Sequence, residues 1–196
     1  MTFVVDGTNG LTFNDATTQS STATNASNIS SGTLGKARLP TGSVLQVQSV
    51  YLTSATQLAS GGALHELSTS LRIAFTPVSA SSTLYLDVFG SFMYPNSSTL
   101  QYAAIYDVTN SAYVNLPPAN GSRQRVHWIN RTPPFDVNDA NSLNFSINVA
   151  NTSTTARTYT VYHGTESASA QFLSSTLSSA AGATIPIIFK ITEISA

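Results

Sequence analysis

The spacing of the apolar residues constrains this chain more than any other feature. In "LNFSINVA", Leu143, Phe145, Ile147 and Val149 fall on one side, with Asn144, Ser146 and Asn148 on the other. "LRIAF" alternates Leu71, Ile73 and Phe75 with Arg72 and Ala74, and "TYTVYH" sets Tyr159, Val161 and His163 against Thr158, Thr160 and Tyr162. A period of two belongs to strands, whose successive side chains point to opposite faces. Further strands are expected at Val44–Tyr51, Thr83–Phe92, Gln101–Tyr106, Gln124–Ile129 and Ile185–Glu193. Turn-rich stretches separate them: "TPVSASS", "YPNSS", "VTNSA", "PPANGS" and "RTPPFDVNDAN". Short alternating strands between regular turns predict an all-β body, an antiparallel, jelly-roll-like β-sandwich over residues 44–196. "ASAQFLSSTLSSAAG" is the only candidate for a short helix, and its Ser/Thr content suits a loop or strand as well.

Several of these strands are apolar on both faces. In "TLYLDVFGSF", Leu84, Leu86 and Val88 point one way and Tyr85 and Phe89 the other, with Asp87. In "QYAAIYD", Tyr102, Ala104 and Tyr106 oppose Ala103 and Ile105. The strands of a lone sandwich carry a polar outer face. Two apolar faces call for a second covering layer, and in a chain of 196 residues another subunit is the simplest source. Tyr85, Phe89, Tyr102 and Tyr106 are therefore the expected subunit-interface residues.

Residues 1–43 read differently. "VDGTNGLTFND" (Val5–Asp15) holds two turn signals, Asp6-Gly7 and Asn9-Gly10, between "TFVV" and "LTF", the pattern of a small hairpin. "ATTQSSTATNASNISSGTLG" (Ala16–Gly35) follows, with no charge and almost no large apolar residue. It can form no core of its own and should behave as a tether unless a partner holds it. A docking device followed by an extended N-terminal arm is the expectation.

Charge narrows the partners. Asp, Glu, Lys and Arg make up 9% of residues and the net charge is −1. Phosphate backbones are held by clustered Lys and Arg, and "RQRVHWINR", with Arg123, Arg125 and Arg131, is the nearest approach to a cluster. Nucleic acid is not an expected partner. No run reaches the roughly 18 apolar residues of a membrane helix, so membrane insertion is not expected either. No basic-then-apolar leader is read at the start. The absence of cysteine removes disulfides, zinc–thiolate sites and cysteine nucleophiles. Seven Asn-X-Ser/Thr triplets (Asn25, Asn28, Asn96, Asn120, Asn130, Asn144 and Asn151) reflect the abundance of Asn. A glycan on Asn144, inside a strand pattern, would clash.

Sites of chemistry are sparse. G-x-S-x-G, H-E-x-x-H and P-loop motifs are absent. His65-Glu66 reads as a turn or edge feature beside a Gly-Gly turn. If Gln124–Ile129 is a strand, His127 shares a face with Arg125 as a surface residue, and Trp128 lies with Val126 toward the core. An exposed Trp128 would instead stack on a sugar ring. "DVNDAN" (Asp136–Asn141) gathers Asp136, Asn138 and Asp139. Such oxygen ligands suit Ca²⁺, but the EF-hand spacing and its distal Glu are missing, and Asx side chains also cap local turns. With Trp128 these residues form the candidate glycan-binding set. Asp87 and Asp107 are the one acidic pair that neighbouring strands would bring together for glycoside hydrolysis. No catalytic residue, metal or cofactor is expected.

Two segments carry a resemblance. "VDGTNGLTFNDATTQ" resembles the short module of many bacteriophage tail-fibre and appendage proteins, of pattern G-x-x-G-[IL]-T-F-x-D-x-[ST]-T-Q. Gly7, Gly10, Leu11, Thr12, Phe13, Asp15, Thr18 and Gln19 fit it; Asn14 stands where the family often has Pro. "ISSGTLGKARLPTGSVLQVQSV" (Ile29–Val50) resembles the connector that follows. "FTPVSASSTLYLDV" (Phe75–Val88) and "IIFKITEIS" (Ile187–Ser195) resemble a turn and the closing strand of the family's β domain. Tyr102–Ser175 matches no signature. The resemblance implies a non-enzymatic homotrimer on the outside of a phage particle. Its attachment residues would be Val5, Gly7, Gly10, Leu11, Phe13 and Asp15. Its partners would be the major capsid protein, for a decoration or cement role, or tail and baseplate proteins, for a fibre that recognises host surface glycans.

Overall fold

A computed structural model of the chain describes residues 4–6, 10–12, 18–19, 39–53, 56–58, 63–93, 100–131, 140–166, 171–173 and 186–196. The chain divides into two units between Leu39 and Pro40. In the first unit, β1 (Val4–Asp6), β2 (Gly10–Thr12) and β3 (Thr18–Gln19) form an antiparallel sheet with β2 in the centre. Val5 pairs with Leu11 and Asp6 with Gly10, so the expected hairpin is present, and a third strand extends it.

The second unit begins with Pro40–Ser43, which the sequence grouped with the arm. Gly42 N–H donates to the Ser195 carbonyl at 2.9 Å and Ser195 N–H to the Ser43 carbonyl at 2.9 Å, tying this stretch to the end of the body. The strands then run β4 (Val44–Leu52), β5 (Thr56–Leu58), β6 (His65–Glu66), β7 (Ile73–Phe75), β8 (Thr83–Phe89), β9 (Ser91–Met93) and β10 (Leu100–Asp107). They continue with β11 (Ala112–Tyr113), β12 (Trp128–Arg131), β13 (Ala140–Ser142), β14 (Phe145–Ala150), β15 (Arg157–Thr165), β16 (Gln171–Leu173) and β17 (Ile187–Ile194).

Eight of these are the framework: β4, β7, β8, β10, β12, β14, β15 and β17. One sheet has the order β14-β8-β17-β4; in the other, β12 and β15 flank β10, and β7 and β6 pair with β15. Counted along the chain, the orders are sixth-third-eighth-first and fifth-fourth-seventh-second. That interleaving of two antiparallel sheets is a jelly roll, so the fold class expected from the alternation is the one observed.

A small sheet, β13-β9-β16-β5, repeats the order of the first sheet. The reason is connectivity: β5 follows β4, β9 follows β8, β13 precedes β14 and β16 precedes β17. The expected single strand Thr83–Phe92 is broken between β8 and β9 at Gly90. A Cβ there would lie 2.8 Å from Ile187 Cγ1 and 3.0 Å from Ile187 Cα, so the sheet admits only glycine at the break. The candidate helix instead supplies β16, and no α-helix occurs among the described residues.

The core fills the space between the two sheets. Leu84, Leu86 and Val88 of β8 and Phe189 and Ile191 of β17 meet Ile73 and Phe75 of β7, Ile105 of β10 and Val161 of β15. These are the inward positions that the alternation assigns. Fully burying side chains of this size stabilises the fold by roughly 1.5–3 kcal/mol each.

Candidate functional site

The outer face of the β14-β8-β17-β4 sheet is rich in exposed apolar side chains among the described residues. Register fixes its rows. Phe89 lies beside Ile188, and Ile188 beside Tyr51. The next row runs Ser146, Asp87, Lys190, Ser49, and the third Asn148, Tyr85, Thr192, Val47. Six large apolar side chains are exposed among the described residues, and five belong to this sheet: Val44 (56%), Val47 (53%), Tyr51 (56%), Tyr85 (40%) and Phe89 (42%). An ion pair sits between the apolar rows. Lys190 Nζ is 3.0 Å from Asp87 Oδ2 and 5.6 Å from the Phe89 ring centre, and Ser146 Oγ donates to Asp87 Oδ1 at 2.6 Å. A hollow of about 430 Å³ opens between Tyr85, Asp87, Thr192 and Ile194.

A cleft of about 540 Å³ borders the same face, lined by Tyr85, Asn115, Leu116, Ser146, Ile147 and Asn148. Its far wall is fixed by hydrogen bonds. Asn115 takes a left-handed backbone (φ 40°) and its Nδ2 donates to the Asn148 carbonyl at 3.0 Å. Arg125 donates to the Pro117 carbonyl at 2.6 Å and the Leu116 carbonyl at 3.2 Å. The cleft thus offers one aromatic ring with amide and hydroxyl groups and no formal charge.

On the second sheet most outward aromatics pack on one another, and Ile129 is its exposed large apolar residue among the described residues. Tyr106 stacks on Tyr162 at 4.4 Å between ring centres, and Tyr113 packs edge-on against Tyr106 at 4.9 Å and Tyr162 at 5.7 Å. Burial pushes the Tyr113 and Tyr162 phenols up. Tyr102 is buried within the chain itself, at 6% exposure. Of the four expected interface residues, Tyr85 and Phe89 stand on the open face, while Tyr102 and Tyr106 are engaged by their own chain. Glu66, of the His65-Glu66 dipeptide, is held by Arg72 through two contacts of 2.7 Å, and the hydrogen bond from Arg72 pulls its carboxyl down.

Two buried polar groups anchor the interior. Glu193 is fully buried and accepts from Gln46 Nε2 (2.7 Å), Val78 N–H (2.8 Å), Ser79 N–H (2.9 Å) and Ser82 Oγ (2.6 Å). Burial pushes this carboxyl up, but the hydrogen bonds outweigh it and hold the group below the ordinary range. Val78, Ser79 and Ser82 belong to "TPVSASS", and Glu193 to the closing strand, so two segments of the sequence resemblance meet at one carboxylate. The sequence carried the signal. Glu193 shares its phase with Ile187, Phe189 and Ile191, where a charge is out of place. The second group is His163, which lies 3.2 Å through Nε2 from Gln101 Oε1; burial pushes its imidazole down to about 3.

Several expectations need correction. Gln124–His127 is not strand; β12 starts at Trp128, and His127 is not a surface residue. Its N–H donates to the Ala103 carbonyl at 2.9 Å and its Nδ1 accepts from Ile105 N–H at 3.0 Å, so the ring continues the edge of β10 between β12 and β11. Burial lowers its pKa. Trp128 packs against the core. Asp87 and Asp107 do not pair. They stand in different sheets, Asp87 with Lys190 and Asp107 with Asn110 and, at 3.9 Å, Arg157. Asp136, Asn138 and Asp139 lie outside the described residues, as do Gly7, Phe13 and Asp15. Val5, Gly10 and Leu11 sit on the paired strands β1 and β2. Among the described residues, no three His, Asp or Glu side chains gather where they could hold a metal ion, and no helix is long and apolar enough to cross a membrane.

No protein-family model matches the chain, and no curated protein matches it.

Proposed function

We propose that this chain is a non-enzymatic structural protein of a bacteriophage virion: a homotrimeric decoration or cement protein on the particle's exterior. It is anchored through its N-terminal unit to the major capsid protein or to tail and baseplate proteins. The observation that carries the reading is the division of labour along the chain. Residues 40–196 hold a complete jelly roll with its own core, while Met1–Leu39 is a separate unit built on a three-stranded sheet. A small sheet of short strands offers backbone edges to a partner's strands, and the described core of the body is built from Leu52 to Ile191. Deleting residues 1–39 is expected to leave a soluble, folded body that no longer joins the particle. Normal incorporation of the truncated protein would defeat the proposal.

A second reading rests on the cleft at Tyr85. An exposed ring beside Asn115, Asn148 and Ser146 is suited to a neutral saccharide, the ring stacking on a sugar face and the amides meeting hydroxyls. Under that reading the chain is a fibre component recognising host surface glycans. Glycan-array binding by the isolated body, lost in Tyr85→Ala, is its expected signature; a blank array rejects it.

A further inference from the structure

We infer that the outer face of the β14-β8-β17-β4 sheet is the contact through which one copy of this chain docks on another. The inference deepens the reading of this chain as a self-associating building part and rests on it. Three observations single out a second copy as the occupant.

The first is charge complementarity. The face divides into a half with Asp87, on β14 and β8, and a half with Lys190, on β17 and β4. The two charges already pair within the chain, yet neither is saturated. Lys190 retains donors beyond the one directed at Asp87, each Asp87 oxygen retains a second acceptor site, and the Lys190 side chain remains 35% exposed. A neighbour that presents the same face, with its halves reversed, places its Lys190 against Asp87. The arrangement closes as a face-to-face pair about a twofold axis parallel to the strands, each copy's Asp87 half meeting the other copy's Lys190 half. A partner of single-sign charge would leave one of the two unmatched.

The second is area. Four strands of six to nine residues make a face of roughly 25 by 19 Å, about 475 Å² in projection. Two such faces bury on the order of 1,000 Å², the size at which specific interfaces begin. The third is relief. Tyr51, Phe89 and Tyr85 project on either side of the ion pair, and the 430 Å³ hollow between Tyr85, Asp87, Thr192 and Ile194 gives a projecting side chain from the other copy somewhere to go.

The test uses the full chain in solution. Light scattering of the wild type is expected to give a multiple of the monomer mass. Asp87→Lys and Lys190→Asp, each alone, are expected to weaken self-association on the order of 100-fold, because like charges then face each other. Mixing the two variants is expected to restore association. A monomeric wild type would overturn both the inference and the trimer. A multimeric wild type indifferent to both charge reversals would keep self-association and overturn this face as its contact. Should either variant fail to fold by circular dichroism, the wild type decides alone. Covalent labelling of Tyr51 and Tyr85 should fall as concentration drives association, while that of Tyr113 stays constant. Labelling of Tyr51 and Tyr85 that ignores concentration overturns the inference.

Discussion

The two sheets of the jelly roll carry the same sequence pattern on their outer faces and resolve it in opposite ways. β8 and β10 both read as strands with apolar residues on each side. On the second sheet the outward aromatics close on one another, Tyr106 on Tyr162 with Tyr113 edge-on, and Tyr102 is buried. On the first sheet Tyr85 and Phe89 keep 40% and 42% of their surface open, alongside Val47 and Tyr51. An apolar outer face is therefore not in itself a mark of assembly. What distinguishes the two is whether the outward aromatics cover one another: on the second sheet they do, with Ile129 its exposed large apolar residue among the described residues, and on the first they do not.

If the first sheet is open only on its outside, its inside must be as firmly made as that of the second. Glu193→Ala is the largest expected effect. It leaves two backbone N–H groups, the Ser82 hydroxyl and the Gln46 amide without their shared acceptor. Equilibrium denaturation is expected to show a loss of about 3–5 kcal/mol, the range for breaking a buried charged network. A loss below about 1 kcal/mol would mean that the "TPVSASS" turn is held by other contacts.

The next effect compares the sheets by pH. His163, inside the second sheet, is held neutral, its pKa lowered by burial from the ordinary 6.5 to about 3. A folded-state pKa below the unfolded one means that the unfolded chain binds the proton more readily. The stabilisation is complete above about pH 6.5 and is lost as pH falls toward 3, at up to about 1.4 kcal/mol per pH unit. Glu193, inside the first sheet, is also depressed, so its contribution fades only below the ordinary carboxylate pKa of about 4.5. Denaturation midpoints measured from pH 7 to pH 5 should fall more steeply in the wild type than in His163→Gln, where the depressed His127 still contributes a slope, with the Glu193 loss appearing only at lower pH. An equal slope in both proteins over pH 7 to 5 would remove His163 as the cause.

A smaller effect probes the outer faces directly. Tyr106→Ala breaks the tyrosine cluster and is expected to cost the dilute body about 1–3 kcal/mol. Tyr85→Ala, on the open face, is expected to change stability by no more than about 0.5 kcal/mol. Thermal melts of both variants at low concentration check this; equal losses would erase the distinction between the faces.

This contrast also explains what the sequence made legible. Alternation placed Leu84, Leu86, Val88, Phe189 and Ile191 inside because a period of two maps directly onto the two sides of a strand. It could not separate Tyr85 from Tyr106. Whether an outward aromatic is covered depends on which strands become neighbours, and Tyr162 lies 56 residues beyond Tyr106. The stretch Gln124–His127 failed for a related reason. The alternation there is real, but His127 satisfies the edge of β10 with a ring nitrogen in place of a backbone carbonyl, and that substitution leaves no periodic mark. Glu193 is visible in the sequence as a charge in an apolar phase, but alternation alone does not show that the "TPVSASS" turn, more than 110 residues earlier, supplies its donors.

The smallest expected effect concerns the ion pair between the apolar rows. Within one copy, Lys190 and Asp87 form a partly exposed pair, and such pairs contribute about 0–1 kcal/mol once solvent screening and side-chain entropy are counted. Lys190→Met keeps the aliphatic reach over Phe89 and removes only the charge. The dilute body should therefore melt within about 1 kcal/mol of the wild type, and raising the salt should narrow even that gap. A larger loss would mean that the pair is an internal staple of the first sheet. Its position between Phe89 and Tyr85 would then be explained by the needs of one chain, and the open face would lose the feature that makes it fit a copy of itself.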